Sequence, residues 1–383
     1  MTFKKAVGKI HLWLGLASGL VVFIVALTGC IYTFQKEISE RLHPDLYFVP
    51  PPDDHEKLPL SFLQHEAQAM LGKDKPINFI VAYNDPVRAW EFSAYKEGPE
   101  DALTYFDALE YYKVVRVNPY TGKITGTTDY KYEFFNVVKY LHWSLLLSTK
   151  YGQPIVGIGT LIFVILLITG LILWWPKKWN KANFNKSFKI KWKAKFKRLN
   201  YDLHNVPGFY SLFFVLLLSL SGMVWAFRWF QSAVYVVSSL SVTPPKEEVF
   251  KSGISHEIDA AHAIDVAFTT AASLSPGAKR IGISPAYGPD AAITIYAYKG
   301  REIYYDYDEL SFDQHSGRLL GRQDWSKKNN GEKIIGMNYD IHVGAALGLP
   351  GKIVAFIASF IAASLPVTGF LIWWGRRNKK AIH

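Results

Sequence analysis

Four long apolar blocks, at about 12–34, 155–175, 206–230 and 353–374, constrain this 383-residue chain more than any other feature. A helix crosses a bilayer with about 20 apolar residues, because every backbone polar group must be satisfied within the segment. Each block reaches that length, and Arg228, near one end of the third, is the only charged residue in any of them. The sequence therefore predicts four transmembrane helices.

The net charge of +11 would suit nucleic acid, but its placement argues otherwise. Segment 177–198 holds ten Lys or Arg and no acid, Lys4, Lys5 and Lys9 precede the first block, and Arg376, Arg377, Lys379 and Lys380 follow the last. An even number of crossings puts all three on one side, which the positive-inside rule makes the cytoplasm. Trp179, Phe184, Phe188, Trp192 and Phe196 are interleaved in the basic loop, which suits anionic lipid rather than nucleic acid. Cys30, the only cysteine, excludes an internal disulfide and a thiolate metal site. Its Leu27-Thr28-Gly29-Cys30 context resembles a lipoprotein cleavage site, but the apolar run continues past it and block three repeats the pattern at Leu220-Ser221-Gly222-Met223; an uncleaved anchor is expected.

A histidine leads every block: His11, His142, His204 and His342. His11 is followed by Gly15 and Gly29, and His204 by Gly208 and Gly222 at the same offsets. The second and fourth blocks end alike, in Thr169-Gly170-Leu171-Ile172-Leu173-Trp174-Trp175 and Thr368-Gly369-Phe370-Leu371-Ile372-Trp373-Trp374. The chain reads as a tandem duplication of helix, soluble segment, helix.

Each soluble segment opens with a Pro-containing link, at 43–59 and at Pro244-Pro245, followed by an amphipathic helix. The first helix starts with Ser61 as its expected cap and the second covers about 257–274. Strands are expected at Ile77–Tyr83, Ala89–Tyr95 and Tyr111–Asn118, then at Lys279–Ser284, Ala291–Tyr298 and Ile303–Asp313. The last strand of each set turns, through Pro119-Tyr120-Thr121-Gly122 or Gln314-His315-Ser316-Gly317, into a further short run. Two small α+β domains outside the membrane follow.

The strand-turn ending in Thr-Gly or Ser-Gly resembles the PepSY module. The paired Thr-Gly-x-x-x-Trp-Trp ends and leading histidines resemble the PepSY-associated transmembrane proteins, also called iron-regulated membrane proteins. The resemblance runs from His11 to Trp374. It implies an inner-membrane protein of a bacterium with two PepSY-like periplasmic domains and two b-type haems, which reduces ferric siderophores and releases ferrous iron.

The residues support a cofactor reading of their own. His11 and His204 start outward-running helices, while His142 and His342 precede inward-running ones, so each pair shares a membrane face. Two neutral imidazoles on facing helices can take both axial positions of a haem iron. Gly29 and Gly222 lie 18 residues, or five helical turns, past His11 and His204, where they leave room for a macrocycle held by His142 and His342. Gly15 and Gly208, one turn on, thin the helix beside the first haem, although small residues also serve helix packing. Lys9, Lys197 and Arg198 are expected propionate donors inside, and Arg228 outside.

The boundaries read as helix one at 10–35, an outer domain at 36–141, an interfacial segment and helix two at 142–175, and a basic loop at 176–203. Helix three follows at 204–230, the second outer domain at 231–341, an interfacial segment and helix four at 342–375, and a tail at 376–383. Both termini are expected in the cytoplasm. The tryptophans at helix ends fit an interface belt, and His43, His55, His65, His256, His262 and His315 show no metal-site spacing. No nucleotide fingerprint or hydrolase arrangement is evident, so the electron donor is expected to be a quinol or a cytoplasmic reductase. Two other readings stay open: a non-enzymatic PepSY binding or regulatory membrane protein, and a metal transporter.

Overall fold

The computed structural model describes residues 2–50, 56–246, 248–253, 260–300 and 302–380, without the side chains of Ala260 and of 377–380. The link residues Pro51 and Pro52, the surface histidines His55 and His256, and the helix start at 257 lie outside the described residues, as do the side chains of Arg377, Lys379 and Lys380.

The first half comprises α1 Phe3–Tyr32, α2 Gln35–Leu42, α3 Pro44–Tyr47, α4 Leu60–Leu71, β1 Phe79–Tyr83, β2 Trp90–Glu97, α5 Tyr105–Ala108, β3 Leu109–Val117, β4 Ile124–Asp129, α6 Phe134–Ser144 and α7 Thr149–Trp174. After α8 Lys181–Phe188 come α9 Phe196–Ala226, α10 Arg228–Ser239, α11 Ala260–Leu274, β5 Arg280–Ser284, β6 Ala292–Tyr298, β7 Tyr307–Asp313, β8 Leu319–Gln323, α12 Asn330–Gly336, α13 Asn338–His342 and α14 Gly348–Lys380.

Helices α1, α7, α9 and α14 are each long and apolar enough to cross a membrane. Their contacts, α1 with α7, α7 with α9, α9 with α14 and α14 with α1, close a four-helix ring. Val22, Phe163, Leu166, Val215 and Ala362 fill its centre. Both α1 and α9 begin before their apolar blocks, so His11 and His204 sit within regular helix. The third membrane helix ends earlier than predicted. It ends at Ala226, where extended Phe227 turns the chain into α10, and Arg228 opens that separate amphipathic helix instead of closing a membrane span.

The sequence reads the soluble segments as two domains, but their strands join in one eight-stranded antiparallel sheet, ordered β4-β3-β2-β1-β5-β6-β7-β8. The seam is β1 against β5, with Ile80 opposite Ile283 and Tyr83 opposite Arg280. Each would otherwise be an edge strand with unpaired N–H and C=O groups, and pairing removes both edges. Alternate residues, among them Ile80, Ala82, Ile293 and Ile295, face one buried side, where α4 and α11 pack through Leu63, Ala67, Ala263 and Ala267.

Ser61 does not cap α4, which opens after Pro59 with no side-chain cap. The Ser61 N–H donates instead to Asp265 Oδ1 of α11 at 2.8 Å, and its hydroxyl donates to Oδ2. A carboxylate from the second half thus satisfies the helix start of the first. The two predicted turns share one geometry: Asn118 accepts from the N–H of Tyr120 and Thr121, Asp313 from the N–H of His315 and Ser316, and Gly122 and Gly317 follow at φ +71 and +68.

Candidate cofactor site

Two short helices carry the histidines at the sheet end of the bundle. Glu133 caps α6 by accepting from the N–H of Phe135 at 3.0 Å and Asn136 at 2.7 Å, and His142 lies in the last turn. Helix α13 is fixed by buried Asp340, which accepts the Tyr304 N–H at 3.1 and 3.2 Å, and it ends on His342. The His142 and His342 ring centroids are 5.8 Å apart, with planes inclined by 61°. At the other end, His11 of α1 and His204 of α9 stand 6.5 Å apart at 88°. Val25, whose carbonyl meets His142, is about 21 Å along α1 from His11 at the helical rise.

All four Nδ1 atoms are committed. His142 Nδ1 lies 2.8 Å from the Val25 carbonyl, and His342 Nδ1 lies 3.1 Å from that of Leu218. A carbonyl only accepts, so both nitrogens carry the proton. His11 Nδ1 lies 2.9 Å from Thr169 Oγ1, and His204 Nδ1 lies 2.9 Å from Thr368 Oγ1. Each hydroxyl already donates to its own helix, at Ile165 and Ser364, and therefore accepts from the imidazole. Ser221 repeats this beside His342, accepting at 2.9 Å while donating to Leu218. In the neutral rings every Nε2 keeps its lone pair, the ligand form of histidine.

One construction serves all four rings. A Ser or Thr hydroxyl faces Nδ1, and the glycine after it leaves space for the ring. A β-carbon added to Gly29 would stand 3.1 Å from His142 Cε1, and one on Gly222 3.5 Å from His342 Cε1. On Gly170 it would meet His11 Cε1 at 3.4 Å, and on Gly369 His204 Cε1 at 3.3 Å. The dipeptides are Thr28-Gly29, Thr169-Gly170, Ser221-Gly222 and Thr368-Gly369. Within each half, the two membrane helices cradle histidines from each other's side.

Imidazole nitrogens bind first-row metals at about 2.0–2.1 Å, so two in-line ligands place their ring centroids roughly 6 Å apart. The centroid distances of both pairs are close to that spacing. Among the described residues no group of three or more His, Cys, Asp or Glu is placed to hold a metal ion. The arrangement therefore suits a metal that brings its remaining ligands with it, as in a macrocycle. A cavity of about 570 Å³ contains both His142 and His342 in its wall, with Phe163 and Val215 deep in the bundle and Tyr95, Glu97 and Lys139 at the sheet end.

The profile of the PepSY-associated TM region matches residues 9–376. The chain belongs to this family. It is thus a multi-pass membrane protein of the iron-regulated membrane protein type, with its membrane helices in a lipid bilayer. Among curated proteins no sequence matches the chain.

The other predicted residues divide. Gly15 and Gly208 face Leu166 and Leu365, at 3.9 and 3.3 Å from an added β-carbon, and so serve helix approach next to the rings. Arg228 is exposed and stands outside the cavity wall, where Lys139 is the cation. Of the expected donors at the basic end, Arg198 is paired with buried Asp202 at 2.8 Å, while Lys9 and Lys197 are exposed. Sequence reasoning missed the hydroxyl partners, although the Thr-Gly repeats contain them. It also missed Asn200 and Asn338, each four residues before a histidine, which donate to the Thr368 and Ser221 carbonyls at 3.1 and 3.0 Å. Comparison of the halves would have raised them, since Val7 and Val138 hold those places in the first.

Proposed function

We propose that this chain is a di-haem b reductase of the bacterial inner membrane, which moves electrons from the cytoplasmic side to ferric siderophores in the periplasm and releases ferrous iron. The observation that supports this most is the uniform commitment of Nδ1: four neutral imidazoles keep Nε2 free, in two pairs, one at each end of the bundle. When bound, haem would supply a one-electron ferric/ferrous couple and the further ligands that a histidine pair lacks. His11 and His204 would hold it at the basic end, His142 and His342 at the sheet end.

The chain's own residues orient and insulate. Thr169, Thr368, Ser221 and the Val25 carbonyl fix the ring tautomers, and such partners tune ligand basicity. Apolar Phe163 and Val215 line the cavity within the bundle and would limit water around a bound group. Basic residues on the loop side support the cytoplasmic placement of that end, and the PepSY-like sheet would then be periplasmic. The donor would be a quinol or a cytoplasmic reductase. Four strands, two membrane helices and two Ser/Thr-Gly cradles in each half support a tandem duplication.

An absorption spectrum of detergent-purified protein, oxidised and dithionite-reduced, with a pyridine haemochrome count, tests the reading. Two b-type haems per chain are expected, falling to one on His142→Ala or His342→Ala, and likewise on His11→Ala or His204→Ala. A chain that stays colourless when haem is supplied would overturn it.

A further inference from the structure

The cavity beside His142 and His342 is apolar within the bundle and carries charge only at the sheet end, on Glu97 of β2 and Lys139 of α6. Lys139 precedes His142 by three residues, so both project from one face of α6. Burial pushes its pKa down to about 8, a sign that the ammonium is poorly solvated there. Cations partly withdrawn from water are normally paired. Among the described residues, however, no ion pair includes Lys139, and its ammonium lies over the Tyr140 ring, 4.6 Å from the centroid.

Neither nearby acid forms an ion pair with it. Glu133, the carboxylate that acts on Lys139 electrostatically, uses both oxygens to cap α6. Glu97 accepts from the Tyr95 hydroxyl at 3.3 Å. Among the described residues this ammonium thus forms no ion pair, and it stands in the cavity wall beside two candidate ligands.

We propose that Lys139 is the carboxylate-binding residue of this cavity. The identity of the carboxylate rests on the di-haem reading: it is either a propionate of the cofactor or a carboxylate of an incoming ferric chelate. The placement of the ammonium rests on geometry alone. A carboxylate held by one charge-assisted hydrogen bond loses about tenfold or more in affinity when the cation is removed.

The test uses the full-length apo protein in detergent, as wild type, Lys139→Gln and Lys139→Arg. Each is titrated with haem b and with haem dimethyl ester, whose carboxylates are capped. The histidine pair at the other end contributes equally to wild type and variants, and cancels in the comparison. If the carboxylate is the cofactor's, wild type and Lys139→Arg prefer haem over the ester by about tenfold, and Lys139→Gln loses the preference. A second arm titrates ferric citrate and an uncharged ferric trihydroxamate. If ester and acid behave alike in all three proteins while ferric citrate alone binds Lys139→Gln about tenfold more weakly, the carboxylate is the substrate's. Unchanged behaviour in both arms overturns the assignment. A chain that takes up no haem but still loses ferric citrate affinity in Lys139→Gln sinks the di-haem reading and leaves Lys139 in place.

Discussion

Gly29 of α1 faces the imidazole of His142 so closely that a β-carbon there would stand 3.1 Å from Cε1 and 3.2 Å from Nδ1. Gly222 holds the equivalent place for His342 with more room, at 3.5 Å. Overfilling such a contact costs about 1–3 kcal/mol. Gly29→Ala is therefore expected to weaken haem retention at the sheet end roughly tenfold, and Gly222→Ala to leave it nearly unchanged. Transfer of haem to an apo-globin acceptor measures both. Equal rates for the two variants would contradict the packing argument.

Thr169 and Thr368 are the hydroxyl acceptors for His11 and His204. Replacing the hydroxyl by a methyl of the same size removes the acceptor and keeps the shape. Loss of such a partner typically costs about 10- to 100-fold in metal affinity. Thr169→Val and Thr368→Val should thus loosen the haem at the basic end only. Spectral resolution of the two haems by redox titration distinguishes this from a general loss.

Asp265 ties α11 to the start of α4 across the sheet seam. Hydrogen bonds to a charged group are worth about 1.5–3 kcal/mol each. Asp265→Ala should lower the melting temperature of the soluble layer measurably. Because β1 and β5 make the sheet continuous, that layer should melt in one transition. Two resolved transitions in differential scanning calorimetry would show that the halves unfold independently.

Lys139 gives the site a pH dependence of definite sign. Burial lowers its pKa from 10.5 to about 8, so the folded chain loses this charge at lower pH than the unfolded chain does. Between those values the unfolded state binds more protons, and this group's contribution to stability rises with pH. Carboxylate binding runs the other way, weakening as pH climbs through the folded pKa; a bound carboxylate moves that midpoint upward. The titrations with haem and its ester, repeated from pH 6.5 to 9.5, should show a shrinking preference in wild type and a flat one in Lys139→Arg.

The membrane helices were legible because length and apolarity alone decide them. The grouping of the histidines followed from an even number of crossings, and the six expected strands and the two short runs after the turns all appear as strands in the structure. The seam between β1 and β5 was not legible, since any two edge strands satisfy the same pattern and only the assembled halves bring these two together. Ser61 looked like a cap because its partner, Asp265, lies some 200 residues away in the chain. Arg228 drew attention as the lone charge in an apolar block, but the break at Phe227 takes it out of the span. Lys139 does not stand out in the sequence, because α6 is short and its lysine resembles any surface residue until the helix is folded against the bundle.

The seam between β1 and β5 also sets a schedule for biogenesis. Once synthesised, β1 presents an open hydrogen-bonding edge, and its partner emerges only about 200 residues later, after α7 and α9 have been made. During that interval the half-sheet is exposed to pairing with foreign strands. Truncations after α7 should therefore be prone to aggregation or proteolysis even though their two membrane helices are complete.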